Sequence, residues 1–222
     1  GLLLHTEWFV CILAKSKTYI MKKTFLFAIA LFAIHSLHAQ KTTFGIKAGV
    51  NTNAFVVRGE SGGDKVSYSA SKIGFQAGGV ADISFSEHFS IQPNLLVVLK
   101  GGKYPASKYA INIFSADLPI NFLYKNNGFF AGAGPNLSYG ISGKIKAEDE
   151  TIDVYSDEAG EIPLKRFEMG ANLLMGYQFA KGVSISANYT LGVSNILNVD
   201  DPGDSKVNNN YLGLSIGFNF GK

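Results

Sequence analysis

The sequence predicts an all-β fold, an eight-stranded antiparallel up-and-down transmembrane β-barrel preceded by a cleavable signal peptide. Three observations predict it. Apolar residues recur at alternate positions from Thr43 to the end, which places them on one face of extended strands. The few charges within these segments share the phase of Gly, Ser and Asn. The connections alternate between tight turns and long polar loops. Of the 222 residues, 46% are hydrophobic, 13% aromatic and 17% charged, too apolar a mixture for disorder. A single cysteine, Cys11, excludes a disulfide scaffold. Lys15, Lys17, Lys22 and Lys23 and the acidic Glu7 account for the whole net charge of +3, so the chain beyond residue 40 is formally neutral. That balance excludes the basic footprint of a nucleic-acid partner.

The N-terminal segment reads as an export signal. Met21, Lys22 and Lys23 form a basic start, Phe25 to Ile34 an apolar stretch, and Leu37-His38-Ala39-Gln40 a site for signal peptidase, so residues 21–40 are the expected signal peptide. The apolar stretch is too short to span a bilayer, which takes roughly 20 residues. Residues 1–20 are expected to be an upstream or mis-started segment, and no lipobox surrounds Cys11. Residues 41–222 form the expected outer-membrane β-barrel domain.

The eight expected strands follow in order: 43–53, 72–85, 89–100, 109–125, 129–142, 167–179, a segment from Gly182 to Val193, and 211–220. The last shows the pattern plainly, with Leu212, Leu214, Ile216, Phe218 and Phe220 alternating with Gly213, Ser215, Gly217 and Asn219. Tight turns are expected at Ser86-Glu87-His88, Asn127-Gly128 and Ala180-Lys181-Gly182, where Gly supplies a left-handed residue. Long loops are expected over 54–71, 101–108, 143–163 and 194–209.

Which face is inside decides the solvent. Lys47, Lys72, Asp82, Lys100, Asp117, Lys125 and Glu168 share the small-residue phase, and an eight-stranded barrel has an interior just wide enough for side chains to fill. The apolar face must therefore point outward, into lipid. Crowding inside the narrow barrel accounts for Gly at positions such as Gly45, Gly78, Gly132, Gly176 and Gly213, where it would otherwise weaken a strand. Phe85, Phe89, Tyr124, Phe129, Tyr177, Phe179, Phe218 and Phe220 gather at the short-turn end as an interfacial girdle. The fourth strand changes phase, from Tyr109, Ile111 and Ile113 to Phe114, Ala116 and Leu118, and a bulge near 113–115 or a strand rising clear of the membrane would produce this. Pro93, Pro119 and Pro135 fall within strands and are expected to need bulges. Inside, Lys47 and Asp82 are expected to pair, with Gln92 facing Asp82 across the hairpin. Asn94, Asn121, Asn136, Asn172, Gln178, Asn188 and Asn219 add a hydrogen-bonded filling.

The motifs His38-Ala39-Gln40, Phe44-Gly45-Ile46-Lys47-Ala48-Gly49-Val50-Asn51, Ile73-Gly74-Phe75-Gln76-Ala77-Gly78, Phe89-Ser90-Ile91-Gln92-Pro93-Asn94, Lys100-Gly101-Gly102 and Gly213-Leu214-Ser215-Ile216-Gly217-Phe218 follow one another along the chain. In this order they resemble the Bacteroidetes-type outer-membrane β-barrel family, porin-like or PorT-type. The resemblance implies residence in the cell outer membrane among its lipids and insertion by the barrel-assembly machinery, with no defined substrate.

Catalytic chemistry finds little support. Beyond the signal, His88 is the sole histidine and sits in an expected turn, so neither a Ser/His/Asp arrangement nor a zinc cluster can be assembled. Asn136-Leu137-Ser138 and Asn188-Tyr189-Thr190 match a glycosylation pattern but lie in expected strands. The acidic stretch Glu148, Asp149, Glu150, Asp153, Asp157, Glu158 and Glu161 lacks regular ligand spacing and reads as a solvated loop. No catalytic, cofactor or metal residue is therefore assigned. The expected role is structural or surface-interacting, with a filled lumen and an extracellular ligand engaged through the loops. The alternatives are a porin-like conduit for small solutes, an accessory component of a secretion system, or a membrane-embedded enzyme using Glu168 and the loop acids.

Overall fold

In a computed structural model of the protein, the described residues are 41–61, 64–103, 110–147, 150–155, 164–197 and 206–220. Residues 1–20, the expected signal 21–40, Gly62-Gly63, Tyr109, Glu148, Asp149, Asp157, Glu158, Glu161 and the side chain of Glu150 lie outside them. Nine strands form: β1 (Lys41–Ser61), β2 (Asp64–Ser84), β3 (Phe89–Lys103), β4 (Ala110–Asn126), β5 (Phe129–Ala147), β6 (Glu150–Asp153), β7 (Phe167–Gln178), β8 (Val183–Gly192) and β9 (Lys206–Phe220). Eight of them make the wall. Each pairs antiparallel with the next, β5 passes directly to β7, and β9 returns to β1, so the sheet closes. Closure satisfies the backbone groups that hydrocarbon would leave unpaired. The short β6 folds back on Lys144–Ala147 outside the ring.

Sidedness follows the alternation. Leu214, Ile216 and Phe218 are 57%, 65% and 43% exposed on the outer surface, while Ser215 beside them is buried. Every member of the expected aromatic girdle is exposed, and Phe89 packs edge-on against Tyr124 as Tyr177 does against Phe179. The Asn127-Gly128 turn has both residues left-handed, φ 49° and 85°, the backbone that a two-residue hairpin requires. Lys181 (φ 66°) and Gly182 (φ 87°) make the corresponding corner between β7 and β8.

Several expectations are corrected. Residues 54–61 and 64–71 are strand rather than loop, paired from Ala54 with Ser71 to Ser61 with Asp64, and β9 flanks them as far as the Arg58–Lys206 pair. Val56, Val57, Val66 and Tyr68 favour strand, yet their mixed polarity carries no lipid-facing signature. Similarly, the expected loop 143–163 begins as strand, since β5 runs on to Ala147 and β6 follows.

The fourth strand keeps one phase throughout. Ile113, Ser115, Asp117, Asn121 and Leu123 all face inward. A register shift does occur between Phe114 and Ser115, but the extra residue is Ile141 on β5. The prolines cause none: the register is the same on both sides of Pro93, Pro119 and Pro135. Each removes one N–H from a strand that neighbours hold on two sides, so the loss is local.

Candidate functional site

Among the described residues, charged and polar side chains converge in the lumen, and its two ends differ. At the short-turn end lies an open funnel of about 640 Å³ whose lining includes Lys47, Asp82, Gln92, Lys125, Gln178 and Asn219. Gln92 Nε2 donates to Asp82 Oδ2 at 3.1 Å, as the hairpin adjacency predicts. The expected pairing of Asp82 with Lys47 does not form. The ladder sets Asp82 opposite Thr43 and Lys47 opposite Gly78, four residues deeper, and Asp82 pairs instead with Lys125, which reaches across β3 from β4. Phe130 and Leu174 line one side of the funnel and form a small apolar cluster with Leu123.

Above the funnel the barrel is filled. Gln76 Nε2 donates to Asn188 Oδ1 at 2.7 Å and to Ser215 Oγ at 2.8 Å, tying β2 to β8 and β9 across the interior. A Cβ on Gly213 would run into the Gln76 amide, so the glycine makes room for this bridge. Asn172 donates to Asn121 at 2.7 Å and accepts from Thr190 at 2.8 Å. Asn136 and Asn188, the two glycosylation-pattern asparagines, are buried in this filling and out of any enzyme's reach.

Toward the loop end sits an ionic cluster. Lys100 Nζ lies 3.1 Å from Asp117 Oδ1 and 3.4 Å from Glu168 Oε2, and donates to Ser138 Oγ at 2.7 Å. Asp117 also accepts from Ser115 and Ser138 at 2.7 and 2.6 Å and from the Tyr211 hydroxyl at 3.0 Å. All six side chains are buried, so each charge has the partners that desolvation demands. Nearby, Lys72 donates to Asn112.

An apolar plug caps the cluster. Ile113, Val154, Leu164, Ile196 and Val207 form one buried group, with Ile111, Ile145, Tyr155 and Leu197 packed against it. Backbone bonds fix these loop residues in place: Leu164 N–H to Val154 O at 3.0 Å and Ile196 N–H to Val207 O at 3.1 Å. Tyr155 lies against Gly140 and Gly143, where any side chain would displace its ring. The Arg166 guanidinium stands 4.4 Å from that ring's centroid. Burial pushes the Tyr155 hydroxyl above its ordinary pKa, and the negative Glu168 adds to the shift.

Sequence reasoning finds the interior charges and misses the plug, whose members are scattered over β4, β9 and the long connections, and the Lys100–Asp117–Glu168 grouping, which joins β3, β4 and β7. No group of three or more His, Cys, Asp or Glu side chains is placed to hold a metal among the described residues. His88 is an exposed turn residue whose Nδ1 lies 3.0 Å from the Lys125 carbonyl. Glu168, the strand acid named among the enzyme candidates, lies 3.4 Å from Lys100 Nζ.

A closed eight-stranded wall with a greasy exterior and a packed polar interior defines a small integral β-barrel of the outer membrane. The chain belongs to the outer membrane protein beta-barrel domain family, whose pattern matches residues 38–198. Its localisation is accordingly the outer membrane. No curated protein matches the sequence. Among solved structures it is similar to Neisserial surface protein A (NspA), at 13% identity and TM-score 0.45, covering 80% of this chain and 98% of that one. It is similar to Ail, the attachment invasion locus protein of Yersinia pestis, in complex with the heparin analogue sucrose octasulfate, at 14% identity and TM-score 0.42, covering 80% and 99%. It is also similar to the outer membrane protease OmpT of Escherichia coli, at 9% identity and TM-score 0.36, covering 81% and 96%.

Proposed function

We propose that this protein is a non-conducting outer-membrane barrel with a structural or surface-interaction role, its specificity carried by the segments at the long-loop end. The observation that carries the reading is the plug of Ile113, Val154, Leu164, Ile196 and Val207, seated over the Lys100–Asp117–Glu168 cluster. Water channels belong to barrels of about 16–18 strands, and an eight-stranded interior is filled by side chains. With it go a PorT-type affiliation, export by residues 21–40, insertion by the barrel-assembly machinery and the absence of enzymatic activity. Planar-bilayer recording of the purified full chain tests the central point. A flat baseline is expected, and stable single-channel steps would overturn the reading in favour of a solute conduit. Limited proteolysis of intact cells, with cleavage within 143–163, tests whether that end faces outward.

A further inference from the structure

Charge is unevenly distributed along the lumen. In the loop-side half, Lys72 and Lys100 balance Asp117 and Glu168. In the funnel half, Lys47 and Lys125 stand near one buried carboxylate, Asp82, which Lys125 takes, while the other carboxylate of the lining, Glu87, is exposed in the turn at the rim. Lys47 remains. It is 8% exposed, lines the funnel, and makes no hydrogen bond or ion pair with any described residue.

An ammonium held inside a low-dielectric wall without a counter-charge is costly, and a buried charge ordinarily has a partner. Among the described residues, the buried carboxylate of the funnel, Asp82, stands four ladder positions nearer the mouth and is engaged by Lys125 and Gln92. The space around Lys47 is hydroxyl-lined and unobstructed. Its ladder partner on β9 is Gly217, and the Ser184 hydroxyl stands beside that glycine at a spot a Cβ would occupy. Ser186 also lines the funnel. Lys47 lies six residues along β1 from Lys41 at the rim, about 20 Å of strand. The vacancy is therefore deep, singly positive, furnished with hydroxyl donors, and open on the side where short turns face the periplasm.

We propose that this funnel is a binding site for a small water-soluble solute bearing a carboxylate or phosphate group, with Lys47 as the anchoring cation and Ser184 as a hydrogen-bond donor to the anion. A solute of this class enters from the periplasm and stops beneath the filled section. The site thus belongs to the face opposite the loops and stands whether or not the loops bind a surface partner.

The test uses the full chain folded in detergent micelles and titrated separately with sodium acetate and sodium phosphate, sodium chloride holding ionic strength constant. Backbone amide NMR shifts of Lys47, Gly78, Ser184 and Gly217 are followed. Saturable shifts confined to these residues are expected with at least one anion, and the two arms decide which headgroup is taken. Lys47→Gln is expected to weaken that binding at least tenfold, whereas Lys47→Arg, which keeps the charge, and Lys41→Gln at the rim retain it within threefold. Shifts that never saturate, or that persist unchanged in Lys47→Gln, overturn the proposal. If Lys47→Gln fails to fold, the parent titration decides alone, since linear shifts spread over the surface refute a built site.

Discussion

The two halves of the lumen are built from the same residue types and reach opposite outcomes. At the loop end, Lys100 meets two carboxylates, a hydroxyl and the face of Tyr211, and an apolar plug seals the group from water. At the turn end, Lys47 meets open space. The difference lies in what the connections contribute. Four-residue and two-residue turns have no side chains to spare, while the long connections send Val154, Leu164 and Ile196 back over the mouth, where Ile113 of β4 and Val207 of β9 meet them. A barrel of this width is thus closed from one end only, and the end is chosen by loop length.

The strongest way to break the contrast is to remove the cation from the sealed half. Lys100→Met leaves Asp117 and Glu168 buried without a counter-charge and is expected to destabilise the barrel by about 3–5 kcal/mol, read from urea unfolding in lipid vesicles. Loss of the plug comes next. Ile196→Ala is expected to cost about 2–4 kcal/mol in the same assay, because the residue is 1% exposed and its neighbours cannot collapse into the space. Overfilling tests the middle of the lumen: Gly213→Val pushes into the Gln76 amide and is expected to cost about 1–3 kcal/mol while leaving the outer girdle unchanged. At the turn end, Gly128→Ala forces a side chain into φ 85° and is expected to cost about 1–2 kcal/mol, detectable as a small shift in the unfolding midpoint.

The smallest effect is on pH. The folded-state pKa of Tyr155 is raised, chiefly by burial, so its contribution is complete below the unfolded value near 10 and is lost as pH rises through the folded value. Its phenol titration, followed by ultraviolet difference absorption, is expected to begin at higher pH in the folded protein than in the unfolded chain.

The wall was legible because lipid imposes a simple rule. Leu212, Leu214, Ile216 and Phe218 declare their side at once, and each strand repeats the statement. The interior was legible only locally. Gln92 against Asp82 follows from one tight hairpin, whereas Lys125 against Asp82 depends on how far a side chain leans across an intervening strand, which no periodicity encodes. The plug was illegible for a related reason: Val154 and Ile196 sit in polar surroundings with no alternation, and only the folded loops bring them over Ile113. The phase change at Ile111 and Ile113 was the available clue. Its cause is apolar lining of the upper lumen, and the bulge it suggested belongs to β5.

Unequal strand length has an outcome at the cell surface. β1 and β2 have 21 residues each where β7 and β8 have 12 and 10, and only about 9–11 residues are needed to traverse hydrocarbon. The rim therefore rises where β1 and β2 extend, with β9 flanking β1 as far as the Arg58–Lys206 pair, and is lower at β7 and β8. The rim at the long-loop end is thus raised on one side, and the barrel is asymmetric about its own axis.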